Sequence, residues 1–338
     1  MGSAFADSAG KRTVRENWDT PLLRYLHETY GFRYRYFGLP GEDCHDVRLW
    51  RDMIDEVIAF EVPAKKGVPT STIVKLRSTL EGLNLPTYNA YYGAFESVVT
   101  SRLAFDGTPY KPSGIITLYN LDFCNRLDSK IPTPRGEELL RFAGIRQILL
   151  DQAEQNAEHQ RPWFILMITV RHQMSLTGLS GIVHRPDVGA DVASYVASCL
   201  AHVPLNADPA TGQVKGQHAW AFKAGLFDLL RGYLKGPHIE ALFFPLVKYI
   251  GKTESSPMLH WLLFCQFGRT QQHSPAFHPA GFLTDVCSLR ADDQHNLVAD
   301  CEPCENTTEP CTGSVAWFKQ HSSRFVLPPT QAAAAHTP

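Results

Sequence analysis

The stretch Phe32–Glu61, FRYRYFGLPGEDCHDVRLWRDMIDEVIAFE, decides how the chain is read. Aromatic residues at Phe32–Phe37 predict a strand, Gly38-Leu39-Pro40-Gly41 a tight turn, and the residues up to about Ile54 an amphipathic helix. Val57–Phe60 predicts a second strand, closed by the carboxylate of Glu61. The order is β-α-β with a glycine turn at the end of its first strand. Without a Cβ at Gly38 or Gly41, backbone N–H groups can approach a ligand closely. An acid at the tip of the next strand, about 20 residues further on, is placed to accept hydrogen bonds from ribose hydroxyls. Turn and acid together suggest a site for an adenosine-containing cofactor, with a purely structural turn as the alternative.

Downstream, apolar strands alternate with helical segments. Pro21 in a first turn, capped by Asp19 or Thr20, opens a helix with Leu22, Leu23, Leu26 and Tyr30 on one face. Ser71 to about Leu83 is a second helix, Pro86–Tyr92 a strand, and Phe95–Phe105 a helix. Ile115–Leu121 is apolar enough for the middle of a sheet, Gly136–Ala157 is a long amphipathic helix, and Trp163–Val170 is the most continuously apolar run. Asp187–Leu200 and Trp220–Tyr233 read as helices. Ala241–Ile250 and Met258–Phe267, seven residues apart, are too close for a crossover helix and should form an antiparallel hairpin. The expectation is an α/β fold: a doubly wound, Rossmann-like, mostly parallel sheet with a terminal antiparallel hairpin and a small C-terminal extension. Residues 1–16 read as a disordered segment, 17–270 as the α/β domain, 271–327 as an extension carrying cysteines, and 328–338 as a disordered tail.

With 338 residues, 44% of them hydrophobic, 20% charged and a net charge of −2, nothing global marks a nucleic-acid or membrane partner. A local concentration of Lys11, Arg12, Arg15, Arg24, Arg33 and Arg35 is either a basic surface or a set of solvated charges. No apolar run is long enough to span a bilayer and no signal peptide is evident, so a cytoplasmic location is expected. Cys301, Cys304 and Cys311 form C-x2-C-x6-C, with Cys287, His295 or His321 as a fourth donor. The set is a candidate for structural zinc; free thiols in a loop-rich tail are the alternative.

A parallel sheet ending in an antiparallel hairpin, with a glycine turn on strand one and an acid on strand two, resembles the class I S-adenosylmethionine-dependent methyltransferases over roughly Trp18 to Arg269. The resemblance implies S-adenosylmethionine as cofactor. It assigns the methionine portion to Gly38, Leu39, Pro40, Gly41 and Glu42, and the ribose to Glu61. Adenine falls to Gly93, Ala94 and Phe95, and the cofactor and acceptor side to Asn120-Leu121-Asp122-Phe123-Cys124-Asn125. In this frame Asp122 orients the acceptor or takes its proton, Asn125 hydrogen-bonds it, and Phe123 stacks on a planar one; a turn or cap role for Asp122 and core packing for Phe123 are the plainer alternatives. Arg171 and His172 end the fifth strand at the same edge.

Two departures stand out. GLPG lacks the usual spread of glycines, and NLDFCN is neither D/N-P-P-Y/F nor a Pro-Cys pair. The expected function is methyl transfer to an unknown acceptor, with nucleic acid as the first guess and small molecules and proteins open. A non-catalytic binding or regulatory protein on a methyltransferase-like fold is the alternative, and a nicotinamide-dependent oxidoreductase a third reading. A protein partner or homo-oligomer is also open.

Overall fold

The computed structural model describes residues 7–62, 71–123, 131–133, 136–138, 141–159, 163–171, 234, 238–250, 257–268, 288–291, 297–300 and 313–330. Helix α1 (Ala9–Val14) runs through a π-helical turn (Arg15–Asp19) directly into α2 (Thr20–Tyr30). Then follow β1 (Tyr34–Gly38), α3 (His45–Trp50), β2 (Ile54–Glu61), α4 (Ser71–Gly82), β3 (Thr87–Tyr92), α5 (Phe95–Ser101) and β4 (Leu118–Asp122). A short pair, β5 (Ile131–Thr133) and β6 (Gly136–Glu138), precedes α6 (Arg141–His159) and β7 (Trp163–Arg171). The described part of the chain closes with β8 (Ile239–Phe243), β9 (Val247–Ile250), β10 (Pro257–Phe267), β11 (Ser288–Ala291), β12 (Leu297–Asp300) and α7 (Ser314–His321).

The large sheet has the order β12-β11-β9-β10-β7-β4-β1-β2-β3, with β8 also paired to β10. Strands β3, β2, β1, β4 and β7 are mutually parallel, and β10 enters antiparallel beside β7. This is the mixed, mostly parallel Rossmann-like sheet that the alternation of strands and helices predicts. The hairpin is present too, but its first arm is divided. Phe244-Pro245-Leu246 separates β8 from β9, both arms pair with β10, and the Phe244 N–H still donates to the Leu262 carbonyl at 3.0 Å. A proline has no N–H to give a ladder, which fits a break at that point.

Alternation along the strands sorts side chains into two cores. Phe37, Phe60, Leu121, Phe164, Leu166 and Ile168 meet α5 and α6 on one face. Tyr34, Tyr36, Leu118, Ile165, Met167 and Phe264 meet Trp18, α2, α3 and α4 on the other. The β7 run is buried at eight successive positions, from Trp163 to Val170, as a strand covered on both faces must be.

Three expectations change. Within the segment expected to be disordered, residues 9–14 form a helix: α1 is capped, Ser8 Oγ accepting the Lys11 N–H at 3.2 Å, with Val14 buried. Asp19 does not cap α2, because the chain is already helical there and its carboxylate turns to His260. Gly136–Glu138 is a strand, so α6 starts at Arg141. The C-terminal extension is also part of the fold, since β11 and β12 widen the sheet and α7 packs on α2, with Ser314 Oγ donating to the Trp18 carbonyl at 2.5 Å. Residues 172–233, including the helices expected at Asp187–Leu200 and Trp220–Tyr233, lie outside the described residues, as do Cys287, Cys301, Cys304 and Cys311. Among the described residues no cluster of metal-binding side chains occurs, and no helix is long and apolar enough to cross a membrane.

Candidate functional site

The carboxyl ends of the parallel strands gather most of the residues singled out in the sequence. At the end of β1 the chain bends sharply: Gly38 pairs with Asn120 of β4, the Leu39 N–H donates to the Asn120 carbonyl at 3.1 Å, and Gly41 has φ +64°. The room left by the missing Cβ of Gly38 is taken up by the protein itself. A Cβ there would lie 2.4 Å from the Asn120 carbonyl oxygen and 2.8 Å from the Tyr36 hydroxyl. Pro40 and Gly41 are buried, while Leu39 and Glu42 are half-buried. The Glu42 carbonyl accepts from Thr79 Oγ1 of α4 at 2.9 Å, tying the loop to that helix.

Glu61 ends β2 beside this loop and is only 2% exposed. Its Oε1 has no hydrogen-bond partner among the described residues. Burial, reinforced by the nearby Glu42 carboxylate and opposed by a hydrogen bond from the Val62 backbone, pushes its pKa up to about 7. The Glu61 carbonyl accepts from the Gly93 N–H at 2.9 Å, so the ends of β2 and β3 are joined. Gly93 (φ +146°) lies where a Cβ would meet Val98 Cγ2 at 2.9 Å, and Ala94 is the extended residue that starts α5. The Phe95 ring is fully buried among Phe37, Phe60 and Phe123, which leaves the backbone of 93–94 rather than the ring facing this edge.

At the end of β4, alternation splits the candidates. Asn120 and Asp122 point to the α2 and α3 side, Phe123 to the α5 and α6 side. Phe123 is 2% exposed, lies against Phe95, and has the Arg141 guanidinium 4.6 Å above its ring. Arg141 in turn pairs with buried Glu96 at 3.0 Å. Asn125 and His172 lie outside the described residues, while Arg171 ends β7 half-buried.

Asn120 and Asp122 belong to a buried polar network that local sequence does not announce. Asn120 Nδ2 donates to Asp46 Oδ2 at 2.5 Å and reaches the Tyr36 hydroxyl at 3.4 Å. Asp46 pairs with Arg15 Nε at 2.6 Å, and Arg15 also holds Asp7 at 2.6 Å. Asp122 is ion-paired with Lys11 of α1. One strand over, Thr169 pairs in register with both Asp122 and His260. His260 contacts Thr169 Oγ1 at 2.8 Å and Asp19 at 2.9 Å, and all three side chains are buried. The N-terminal helices are thus tied by Lys11 to β4, by Arg15 to α3 and by Asp19 to β10. The six clustered basic residues do not form a free cationic stripe: Lys11, Arg12, Arg15, Arg24, Arg33 and Arg35 each pair with a carboxylate.

Five parallel strands, continued by an antiparallel hairpin that β11 and β12 extend, with a glycine turn after β1 and an acid at the tip of β2, make a Rossmann-like sheet. No protein-family model matches the chain, and no curated protein matches it in sequence. Among solved structures it is similar to an rRNA methylase from Streptococcus thermophilus, at 10% identity and a TM-score of 0.32 over 73% of this chain and 95% of that one. It is similar also to an O-methyltransferase from Bacillus cereus solved with SAH, at 10% identity and a TM-score of 0.34 over 77% and 91%. A magnesium protoporphyrin IX methyltransferase from Synechocystis, again with bound SAH, matches at 8% identity and 0.35 over 79% and 90%. The fold assignment rests on the strand order and register rather than on these scores.

Proposed function

We propose that the chain is an S-adenosylmethionine-dependent methyltransferase whose cofactor lies along the carboxyl edge, from the 38–42 loop past Glu61 to the ends of β3 and β4. The observation that carries this reading is Glu61: a carboxyl group buried at the tip of β2, next to a glycine turn, with an oxygen lacking a partner among the described residues. Leaving a buried polar atom unsatisfied costs about 1–3 kcal/mol. Two adjacent ribose hydroxyls supply the donors that would remove this cost and favour the ionised form. The Gly93–Ala94 backbone, joined to the Glu61 carbonyl, and half-buried Leu39 lie at neighbouring strand ends and are the groups we assign to the base. Bound S-adenosylmethionine supplies a methyl group activated by a sulfonium. The protein's part is to hold the acceptor in line, exclude water and receive a proton, and we assign the last task to Asp122 at the end of β4.

Nucleic acid as the acceptor draws little support from the N-terminal cations, since each is already paired. The non-catalytic reading draws on Gly38, whose open side is filled by Asn120 and Tyr36 rather than left for a ligand.

Calorimetric titration with S-adenosylmethionine and S-adenosylhomocysteine tests the proposal, with NADH as a control. Saturable binding of both sulfur nucleosides, weakened about tenfold or more by Glu61→Ala, is the expected result. Absence of binding to folded protein sinks it. Binding without turnover on any acceptor class selects the non-catalytic alternative.

A further inference from the structure

The acceptor end of the proposed site already holds a ligand-like group, and it comes from the chain itself. Lys11 Nζ makes an ion pair with Asp122 Oδ2. The two partners differ in access: the lysine side chain is 24% exposed and that of Asp122 only 6%, so the ammonium enters from the solvent side and covers the carboxylate. Helix α1 is held in place to do this. A Cβ on Gly10 would lie 2.8 Å from the Ile250 carbonyl oxygen of β9, and one turn on, Arg15 is fixed between Asp7 and Asp46.

The charges around this point favour one kind of occupant. The network at the edge sets the carboxylates of Asp7, Asp46 and Asp122 against the cations of Lys11, Arg12 and Arg15, with Asp19 turned to His260. Arg15 is engaged by two of the carboxylates, which leaves Lys11 as the group matched to Asp122. An anionic acceptor that displaced the Lys11 ammonium would meet the Asp122 carboxylate with its cation gone. An alkylammonium would replace Lys11 charge for charge and reuse the same hydrogen bond.

Building on the methyltransferase reading, which defines Asp122 as the acceptor end, we propose that the site takes an aliphatic amine. Lys11 is the internal occupant that such an amine must displace. Affinity for an external amine is therefore set by competition with α1, and removal of the Lys11 charge exposes the subsite.

The test needs no cofactor. Butylammonium is titrated calorimetrically into the full chain as wild type, Lys11→Met and Lys11→Arg, with butanol and butyrate as uncharged and anionic controls. Lys11→Met is expected to bind butylammonium about tenfold more tightly than wild type, with Lys11→Arg resembling wild type and neither control binding. Adding Asp122→Asn to Lys11→Met should abolish the gain. Folded Lys11→Met that binds no better than wild type, or that binds butanol equally well, overturns the proposal. If Lys11→Met does not fold, reductive methylation of the wild-type chain, read by peptide mass, decides. Butylammonium should accelerate labelling of Lys11 relative to Lys75, and an unchanged ratio overturns the proposal. Separate titration with S-adenosylhomocysteine keeps the two readings apart, because a failure there removes the methyltransferase assignment while the amine result depends only on Lys11 and Asp122.

Discussion

Asp46 and Glu61 are two buried carboxylates at the same sheet edge, and their surroundings are opposite. Asp46, in the first turn of α3, is saturated: Arg15 holds one oxygen and Asn120 the other. Glu61, at the tip of β2, faces Glu42 and has an oxygen without a partner among the described residues. Burial alone therefore distinguishes nothing; what matters is whether the fold supplies the partner. Where it does, the carboxylate joins elements. Where the described residues do not, the carboxylate keeps an unfilled acceptor, and under the proposed function the contrast separates scaffold from site along a single edge.

Removing the scaffold side should give the largest effect. Arg15→Met leaves Asp46 and Asp7 without their shared cation in a buried setting, and a loss of about 3–5 kcal/mol in urea-denaturation stability is expected. A change below 1 kcal/mol would mean that Asp46 does not depend on that partner.

The site side should respond in the opposite direction. Glu61 has its folded pKa raised from 4.5 to about 7, so the native state binds the extra proton between those values. Stability therefore falls as pH rises through that window and levels off above it. With each pKa unit worth about 1.4 kcal/mol, Glu61→Gln should be more stable than wild type by about 3 kcal/mol at pH 8 and lose that advantage near pH 4. Parallel stability curves for the two proteins would show that Glu61 is not desolvated. Binding of the nucleoside should release a proton near pH 6.5, seen as a buffer-dependent calorimetric enthalpy.

Intermediate effects belong to His260. Replacing it with Phe removes the partner of Asp19 and of the Thr169 hydroxyl, for an expected loss of about 2 kcal/mol. Smallest of all is Arg33→Gln. Its pairing with Asp55 at 2.7 Å is well exposed on both sides, and exposed pairs contribute well under about 1 kcal/mol. A thermal midpoint shift as large as that of His260→Phe would contradict the division between buried and exposed charge.

The sheet was legible in the sequence because its signals are local. Trp163–Val170 is buried on both faces and reads as one apolar run, and the seven-residue gap before Met258 allows only a hairpin. The end of β2 and the glycine turn are likewise short patterns. What could not be read is held by distant pairings. Nothing in SAGKRTVR shows apolar periodicity, and α1 is fixed by Lys11 and Arg15 reaching Asp122 and Asp46. Asp19 has the sequence context of a cap, but the helix runs through it, and its partner lies 241 residues away. The strands β11 and β12 are four residues each, too short for period-two alternation to stand out. At the candidate site, Glu61, Asn120 and Asp122 could be placed from strand ends alone. Their differing saturation could not, because Arg15, Asn120 and Asp46 come together only in the fold.

The manner in which α1 and α2 are anchored has a consequence for biosynthesis. These helices are made well before their partners: His260 and Ser314, which hold Asp19 and Trp18, follow 241 and 296 residues later. At about 5–20 residues per second, the nascent chain carries an undocked amphipathic helix for roughly 10–50 s. Through that interval Leu22, Leu23 and Leu26 lack their final cover, and a ribosome-associated chaperone would find a client surface there.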